Sequence, residues 1–480
     1  LEIITAIKAK KRNKKVRIKY KLCTTDRRRV NNMPIDSLYS HLFNSCTRYS
    51  LLIRLCLFLQ LFSYSSASET RWSFRIGNVD LFNIPALGRS LLGVTDAFSD
   101  VNAVYESKGP DFDVDPNIIE DSFLKTVKLV LKYGYPSEVR HVVTEDGYIL
   151  ELHRIVNKGG VPVLLVHGLL DTSATWVMMG PNKGLAYLLH DLGYDVWMTN
   201  VRGNTYSRNH TIYRTSQAKF WDFSFHEMGK YDLPASIDHV LNATGHEQLH
   251  YIGHSQGTTV FWIMCSERPK YARKVLLMQA LAPVGFVKHC KSPVVDFLAL
   301  FQDPLKVLLR LIGAHEFLPS NEFLTMFNQI ILFTFLQSNI YLPLIARFQT
   351  MLPVILGHAP AGASTKQMLH FGQLKRTGYF RQYDYGWIRN RLRYNSITPP
   401  LYKLSNVRSK VALHYSQNDW LSTPADVEHL HLLLPNVIGK FLVNYERFNH
   451  LDFVWGVDAR EMLYNKVVKL MDLVEPYALD

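Results

Sequence analysis

From about residue 160 onward, short apolar runs alternate with longer stretches of helical periodicity. The runs cover residues 163–166, 195–199, 249–252, 275–279 and 411–415. Strands that are apolar on both faces and alternate with helices are typical of a mostly parallel sheet covered by helices. The pattern therefore predicts an α/β fold with such a sheet at its centre.

Ahead of this region, a helical pattern over residues 118–132 is followed by two strand-like runs, 140–144 and 148–155. The dipeptide Asp146-Gly147 lies in the short connection between the two runs. Asp-Gly in such a position is a hairpin signal. The segment is thus predicted to be one helix followed by an antiparallel hairpin.

The alternation of strands and helices breaks between residues 286 and 385. Leu, Phe and Pro are dense there, for example at 330–335 and 341–345. An insertion that crosses one edge of the sheet explains the break. The sequence therefore predicts two core segments, 116–285 and 386–480, separated by an inserted, mainly helical cap or lid at 286–385.

Charge is concentrated at the N-terminus of the 480-residue chain, whose net charge is +13. Residues 1–32 hold twelve Lys and Arg against two acidic residues, whereas residues 69–480 hold 40 basic and 38 acidic residues. No nucleic-acid partner is therefore indicated for the folded part. Because the first methionine is Met33, residues 1–32 are predicted to be an upstream segment absent from the mature protein. A basic nuclear-targeting or nucleic-acid-binding arm is the alternative.

Residues 33–67 have the order of a secretory signal peptide. A segment with two arginines precedes an apolar run at 55–62, and small residues follow at 65–67. The apolar run is too short to span a bilayer, and a single buried helix is the alternative. Residues 68–115 lack periodicity and are predicted to be a linker or prosegment. These features predict a secreted protein without a transmembrane anchor.

Two cysteines, Cys265 and Cys290, follow the predicted cleavage position, and two thiols make no disulfide framework. Cys265 falls in the apolar stretch 259–265, which predicts a buried thiol rather than a disulfide. No Cys/His spacing indicates a zinc site. The N-x-S/T sequons at Asn209 and Asn242 are candidate glycosylation sites.

The strongest chemical signal is the pentapeptide Gly253-His254-Ser255-Gln256-Gly257, which follows an apolar strand and opens an apolar helix. Glycines at both ends permit the sharp strand-to-helix turn that exposes a nucleophilic serine. Ser255 is therefore the candidate nucleophile, and Gly253 and Gly257 are the glycines of the predicted nucleophile elbow. A serine in an ordinary βα turn is the alternative.

A serine hydroxyl needs a base, which in this arrangement follows it in the chain after an acidic residue. His450 is the best candidate among nineteen histidines, because it lies in a short polar loop between two apolar segments. His254 is bound into the elbow, and His429 and His431 lie on a helical pattern. These three are less favoured as the base, and a surface or cap role is the alternative for His450.

Asp419 is the candidate for the carboxylate that orients the base. It follows the predicted strand 411–415, at the strand end where α/β sheets handle ligands. Asp426 is the competitor. Its context is typical of the start of a helix, where an acidic residue interacts with the helix end.

The oxyanion that develops in acyl transfer needs two preorganised donors. The backbone N–H of Gln256, the residue after the nucleophile, is predicted to be one. The other is predicted to be the N–H of Leu169, in the loop after the run 163–166, where Gly168 allows a turn toward the elbow. A plain βα loop is the alternative.

Taken together, these residues resemble the acid lipase family, the gastric and lysosomal acid lipases of the α/β-hydrolase superfamily. The resemblance covers roughly residues 115–475 and rests on the motifs YGYP at 133–136, VTEDGY at 143–148, HGLL at 167–170, NVRGN at 200–204, GHSQG at 253–257 and NHLDF at 449–453. It implies an α/β-hydrolase fold with a cap, a triad of Ser255, Asp419 and His450, and an oxyanion hole formed by the N–H groups of Leu169 and Gln256. Many family members carry a cap disulfide, but no cysteine follows Cys290 here. The cap is therefore predicted to be held by packing alone.

The predicted function is a serine lipase that hydrolyses neutral lipid esters, triacylglycerol or sterol ester, at a lipid–water interface. No cofactor or metal is required, and the sequence gives no sign of oligomerisation. An esterase or acyltransferase acting on other acyl substrates, or a catalytically inactive lipid carrier, is the alternative. The predicted destination is extracellular, with the lysosome as the alternative.

Overall fold

The chain separates into two structural units, Leu1–Asp111 and Phe112–Asp480. The computed structural model describes residues 75–76, 79–80, 116–311, 313–317 and 351–474. In the first unit, strands β1 (Arg75–Ile76) and β2 (Val79–Asp80) form an antiparallel pair, within the stretch predicted as linker or prosegment. The predicted upstream segment and signal peptide lie outside the described residues.

In the described part of the second unit, nine strands form one sheet in the order β13-β12-β9-β8-β5-β6-β4-β3, with β7 paired to β4. The strands are β3 (Ser137–Val143), β4 (Tyr148–Ile155), β5 (Pro162–Val166), β6 (Asp195–Thr199), β7 (Asn209–His210), β8 (Leu249–His254), β9 (Val275–Leu281), β12 (Lys410–Tyr415) and β13 (Val437–Leu442). The pairs that β4 makes are antiparallel and the others are parallel. The predicted mostly parallel sheet is confirmed, as is the hairpin of β3 and β4.

Helices cover both faces of the sheet. In chain order they are α1 (Pro116–Phe123), α2 (Thr126–Lys132), α3 (Leu185–Asp191), α4 (Phe225–Glu227), α5 (Leu233–Thr244), α6 (Gln256–Glu267), α7 (Pro293–Leu311), α8 (Leu352–His358), α9 (Thr365–Thr377), α10 (Trp387–Tyr394), α11 (Pro424–Leu433), α12 (Asp452–Trp455) and α13 (Asn465–Asp472). A π turn, Met228–Asp232, joins α4 to α5, and a second, Arg460–Tyr464, precedes α13. None of the helices in the described ranges has the length and apolar character needed to cross a bilayer.

The central strands are buried on both faces, as their continuous apolar runs predict. In β5, Leu164 and Val166 pack into one core, whereas Val163 and Leu165 pack into the core on the opposite face. The thiol of Cys265 on α6 is buried and free, which confirms the predicted core thiol. Burial on both faces makes the sheet a rigid platform for the loops that follow its strands.

The single helix predicted over 118–132 is wrong, because the chain breaks between α1 and α2 at Lys125, whose backbone is extended. The break is accounted for by tertiary contacts of the next residue. The backbone N–H and the hydroxyl of Thr126 donate hydrogen bonds of 3.0 and 3.1 Å to the Tyr206 hydroxyl. Local helical periodicity is overridden here by a contact with a residue distant in sequence.

The region predicted as the cap contains α7, α8 and α9 and a short antiparallel pair, β10 (Glu316–Phe317) with β11 (Ala363–Ser364). Gly372 lets α9 approach α7 closely, since a Cβ at this glycine would lie 2.8 Å from the backbone oxygen of Leu298. The apolar runs at 330–335 and 341–345 lie outside the described residues. The boundaries predicted for the core and the cap stay predictions.

Candidate active site

The turn between β8 and α6 consists of one residue, Ser255, in a strained backbone conformation with φ 52° and ψ −116°. The flanking glycines are required by steric contact. A Cβ at Gly253 would lie 2.8 Å from the backbone of Gly257, and a Cβ at Gly257 would lie 2.2 Å from the carbonyl oxygen of Val166. This close packing holds the Ser255 side chain, which is half-buried, at the carboxyl end of the parallel strands.

The imidazole of His450 lies between the hydroxyl of Ser255 and the carboxylate of Asp419. His450 Nε2 is 2.8 Å from Ser255 Oγ, and His450 Nδ1 is 2.8 Å from Asp419 Oδ2. Asp419 lies in the loop after β12, and His450 lies in the loop between β13 and α12. Three side chains from distant parts of the sequence are thus in hydrogen-bonded contact, in the order that a serine nucleophile requires.

Asp419 is buried and stays charged because of its partners. Its Oδ1 accepts hydrogen bonds from the backbone N–H groups of Leu421, at 2.8 Å, and Ser422, at 2.7 Å. Burial alone would raise the pKa of Asp419, but the opposite charge and hydrogen bond of His450, together with the two N–H groups, lower it below its ordinary value. A carboxylate that accepts from Nδ1–H leaves Nε2 of His450 free to accept the Ser255 proton.

The other candidates for the carboxylate and the base that are distant from the elbow lie on helix α11. Asp426 lies in the first turn of α11, where Thr423 Oγ1 is 3.0 Å away and His289 Nδ1 is 2.9 Å away. His429 and His431 lie on the same helix, as their pattern predicts. The arrangement therefore brings Asp419, and not Asp426, to His450.

His254 holds the backbone of the residue proposed as the base, a contact that the sequence reasoning missed. Its Nε2–H donates a hydrogen bond of 2.9 Å to the carbonyl oxygen of His450. Burial, followed by the nearby charge of His450, lowers the pKa of His254 to about 3. His254 is therefore neutral at mildly acidic pH and serves as a fixed donor.

The loop after β5 packs directly against the elbow. A Cβ at Gly168 would lie 3.4 Å from Ser255 Cβ, and Leu170 has a left-handed backbone with φ 63°. His167 fixes the start of the loop, since its Nδ1–H donates to the Gly168 carbonyl oxygen at 2.8 Å and its Nε2 accepts from the Val201 N–H at 3.2 Å. The two predicted oxyanion donors thus lie on elements that flank Ser255: Leu169 in this loop and Gln256 as the first residue of α6. Their role stays a prediction.

The pKa values of two buried side chains in this loop are shifted so that the neutral forms are favoured. Burial lowers the pKa of His167 to about 4 and raises the pKa of Asp171 to about 7, although hydrogen bonds from Thr172 and Thr175 oppose the second shift. Between these two values both side chains are uncharged. At mildly acidic pH the loop therefore places no ionised His167 or Asp171 beside the elbow.

The cap contacts both elements of the predicted oxyanion hole. The Ala361 N–H donates a 2.7 Å hydrogen bond to the carbonyl oxygen of Leu170, and the Gln367 side chain donates a 3.1 Å bond to the side-chain oxygen of Gln256. The sequence did carry one signal here, since Ser364 and Gln367 have the S-x-x-Q spacing of a helix capping box, and both bonds of that box are present. The spacing gives no sign of the contact with Gln256.

The candidate glycosylation residues Asn209 and Asn242 are both exposed, on β7 and α5 respectively. Exposure is necessary for modification of a sequon. Their glycosylation stays a prediction.

Comparison with known proteins identifies the family. The model of the α/β hydrolase fold matches residues 161–457, and a model described as a partial α/β-hydrolase lipase region matches residues 126–180. Lipase 1 of Drosophila melanogaster is 47% identical over 365 residues, which are 75% of this chain and 82% of that protein. Human gastric triacylglycerol lipase is 39% identical over 72% of this chain and 90% of its own length. Human lysosomal acid lipase/cholesteryl ester hydrolase is 39% identical over 75% of this chain and 92% of its own length. The chain therefore belongs to the acid lipase family of the α/β-hydrolase fold and is a carboxylic ester hydrolase.

Proposed function

We propose that this protein is a serine lipase that hydrolyses the esters of neutral lipids through an acyl-enzyme on Ser255. The observation that carries the proposal is the hydrogen-bonded line from Ser255 Oγ through the His450 ring to Asp419, with 2.8 Å at each step. Each of the three groups has the partner that its role requires, and the nucleophile is the most exposed of the three.

In the first half of the reaction, Ser255 Oγ attacks the ester carbonyl carbon while His450 Nε2 takes the hydroxyl proton. The negative charge that forms on the carbonyl oxygen is stabilised by the N–H groups of Leu169 and Gln256. The tetrahedral intermediate collapses, the bond to the alcohol breaks, and His450 gives its proton to the departing alcohol. Asp419 keeps Nδ1–H in place and stabilises the imidazolium.

In the second half, water replaces the alcohol. His450 takes a proton from the water as it attacks the acyl-enzyme, and then returns a proton to Ser255 Oγ as the carboxylic acid leaves. Every proton that moves is carried by His450, whose ring position is set by Asp419 and whose backbone is held by His254. The chemistry uses these side chains, the two backbone N–H groups and water.

Triacylglycerol or sterol ester is the proposed substrate. Two relatives are named for triacylglycerol and for cholesteryl ester, respectively, and the inserted cap is rich in Leu, Phe and Pro. Apolar cap residues supply a surface that covers an acyl chain or faces a lipid interface. Secretion, or delivery to the lysosome, is part of the proposal, and the exposed Asn209 and Asn242 are compatible with it.

The test is turnover of emulsified trioleoylglycerol and cholesteryl oleate across pH 4 to 8 by the wild type and by Ser255→Ala. Loss of the nucleophile is expected to lower kcat by roughly 10⁴- to 10⁶-fold. Ser266→Ala is the matched control, since Ser266 lies near the far end of α6, the helix that follows Ser255, where its hydroxyl accepts from the Lys403 N–H. Equal rates for wild type and Ser255→Ala would overturn the proposal.

A fluorophosphonate probe separates the alternatives. An active serine hydrolase is expected to be labelled at Ser255, and a lipid carrier is not. Transfer of the acyl group to an added alcohol in preference to water would identify an acyltransferase. Turnover confined to short, dispersed esters would identify an esterase instead of a lipase.

A further inference from the structure

Helix α10 (Trp387–Tyr394) lies on the protein surface with nearly all of its side chains in solvent. Within the helix, only Asn390 is buried. The large apolar residues are exposed to an unusual degree: Trp387 by 70%, Ile388 by 56% and Leu392 by 83%. A helix that packs against a core normally buries its apolar residues and exposes its polar ones. In α10 this relation is inverted, so packing against the core does not explain the sequence of its outer face.

The helix is nevertheless held firmly, through its one buried side chain. The Asn390 amide donates hydrogen bonds to Asp384 Oδ1 at 2.8 Å and to the Ile397 carbonyl oxygen at 2.9 Å. Its side-chain oxygen accepts from the Tyr385 N–H at 2.9 Å. The segments before and after α10 are thus tied to its buried side, which keeps the opposite side facing outward.

The outer face has a defined arrangement of apolar and basic residues. With about 3.6 residues per turn, Ile388 and Leu392 lie one above the other along the middle of the face. Arg391 lies on one side of this apolar line, and Arg389 and Arg393 lie on the other. All three arginines are exposed. The face therefore presents an apolar centre flanked by guanidinium groups on both sides.

Basic residues outnumber acidic ones in the stretch of sequence that contains this face. From Tyr385 to Asn418 the sequence has six Lys and Arg and no Asp or Glu. Arg391 donates to the Asn395 carbonyl oxygen at 3.0 Å, and Arg393 lies 4.8 Å from the centre of the Tyr385 ring. Among the described residues no carboxylate forms an ion pair with any of the three arginines. Because residues 69–480 are almost neutral overall, this is a local excess of charge.

A further apolar residue, Ile397, borders the face, and the cap lies beside it. Ile397, whose carbonyl oxygen binds Asn390, has a side chain that is 64% exposed. On the cap, Lys366 Nζ lies 5.0 Å from the centre of the Tyr385 ring, and the next residue, Gln367, reaches Gln256 beside the nucleophile. A surface that bound α10 would therefore lie next to the part of the cap that contacts the active site.

We propose that α10 docks the protein on an anionic lipid–water interface. Exposed Trp, Ile and Leu side chains gain free energy by entering the boundary between headgroups and acyl chains. Arginines that flank them bind phosphate or carboxylate headgroups through their planar guanidinium groups. The occupant is a lipid surface and not a soluble anion, because a soluble anion leaves Trp387, Ile388 and Leu392 in water. The purpose of the docking rests on the proposed lipid-ester substrate, but the docking itself requires no turnover.

The test measures partitioning of Ser255→Ala protein to vesicles, so that lipolysis does not change the lipid. Two vesicle types are compared, phosphatidylcholine alone and phosphatidylcholine with about one-third phosphatidylglycerol. Stronger binding to the anionic vesicles is expected. Adding Arg389→Gln, Arg391→Gln and Arg393→Gln together is expected to weaken binding to anionic vesicles by about 10- to 100-fold.

The matched control is Lys158→Gln, Lys183→Gln and Lys469→Gln in the same background. These three lysines are exposed and lie far from α10 in the sequence, and their substitution removes the same net charge. The control is expected to weaken binding by less than about threefold, since long-range attraction is screened by salt. A second variant, Ile388→Ser with Leu392→Ser, is expected to weaken binding to both vesicle types. Thermal unfolding midpoints check that each variant folds.

Equal loss of binding in the arginine and lysine variants would overturn the docking surface, as would equal binding to both vesicle types. Binding of the protein to polyglutamate but not to vesicles would indicate an acidic protein partner for α10. This result would also overturn the proposed lipid docking. These outcomes are independent of the catalytic proposal. Retention of ester turnover by Ser255→Ala would contradict that proposal and leave the vesicle result in place.

Discussion

Gln367 of the cap donates a hydrogen bond of 3.1 Å to the side-chain oxygen of Gln256, the residue that follows Ser255. Gln367 is itself fixed, because its side-chain oxygen accepts a 2.8 Å bond from the Ser364 N–H at the start of α9. Both glutamines are buried. The position of the cap and the position of a predicted oxyanion donor are therefore linked by a direct contact.

Gln367→Met is expected to lower kcat for a soluble ester by about tenfold with little change in KM. The substitution keeps the volume of the side chain but frees Gln256, so the predicted oxyanion donor is less well placed. Loss of two buried hydrogen bonds is also expected to lower the free energy of unfolding by about 1–3 kcal/mol. Initial rates and denaturant unfolding measure the two effects separately.

Gln373→Met provides the control on the same helix. Gln373 is also buried and makes two side-chain hydrogen bonds, with the N–H and the carbonyl oxygen of Asp384, at 2.8 and 2.9 Å. A similar loss of stability is expected from this variant, with kcat unchanged. If both variants lose kcat equally, Gln367 acts only through cap stability and does not position Gln256.

Some residues of the candidate site could be predicted from the sequence. Their positions follow from the order of strands, turns and helices along the chain. The predicted elbow is a strand, one serine and a helix in direct succession, so its glycines and the proposed nucleophile can be identified without tertiary information. Asp419 and His450 each follow a buried strand or apolar stretch, and the carboxyl ends of parallel strands meet at one edge of the sheet. That edge is where the structure brings them to Ser255.

What the sequence did not reveal depends on how distant segments pack. The contact between Gln367 and Gln256 joins residues 111 positions apart, and the contact between His254 and the His450 carbonyl oxygen joins residues 196 apart. Neither has a periodicity or a spacing that could predict it. The edge strand β13 was also missed, since it is half exposed and contains Gly439, which weakens a strand pattern.

Asp419→Asn is expected to lower kcat by roughly 10³- to 10⁴-fold, because the amide no longer enforces the Nδ1–H tautomer or stabilises the imidazolium. KM is expected to change little. Asp426→Asn is the matched control, since Asp426 is equally buried but contacts Thr423 and His289. Steady-state kinetics on a soluble ester compares the two. Equal activity of the two variants would contradict the assignment of Asp419, rather than Asp426, as the orienting carboxylate.

His254 is expected to position His450. Two substitutions distinguish this role from a role in packing alone. His254→Gln keeps an amide donor near the position of Nε2 and is expected to retain kcat within about threefold. His254→Leu removes the hydrogen bond of 2.9 Å to the His450 carbonyl oxygen and is expected to lower kcat by about tenfold or more. KM and the unfolding midpoint are measured alongside, since a packing role alone would lower stability in both variants without this difference in kcat.

The buried histidines make the fold sensitive to acid, and His414 on β12 tests this away from the active site. Burial, followed by the positive charge of Lys466, lowers the pKa of His414 to about 3, while in the unfolded chain it is about 6.5. Between these values the unfolded chain binds a proton that the folded protein does not, so the free energy of unfolding falls as the pH falls. At pH 5 this lowers stability by about 2 kcal/mol relative to neutral pH.

His414→Gln removes that proton linkage while keeping a donor for the Gln279 side-chain oxygen, which His414 Nε2 contacts at 2.7 Å. When the pH is lowered from 7 to 5, the free energy of unfolding of the variant is therefore expected to fall by about 2 kcal/mol less than that of the wild type. Denaturant unfolding at pH 7, 6 and 5 measures this difference. Parallel slopes for His414→Gln and wild type would mean that His414 is protonated in the folded protein or exposed to solvent before unfolding.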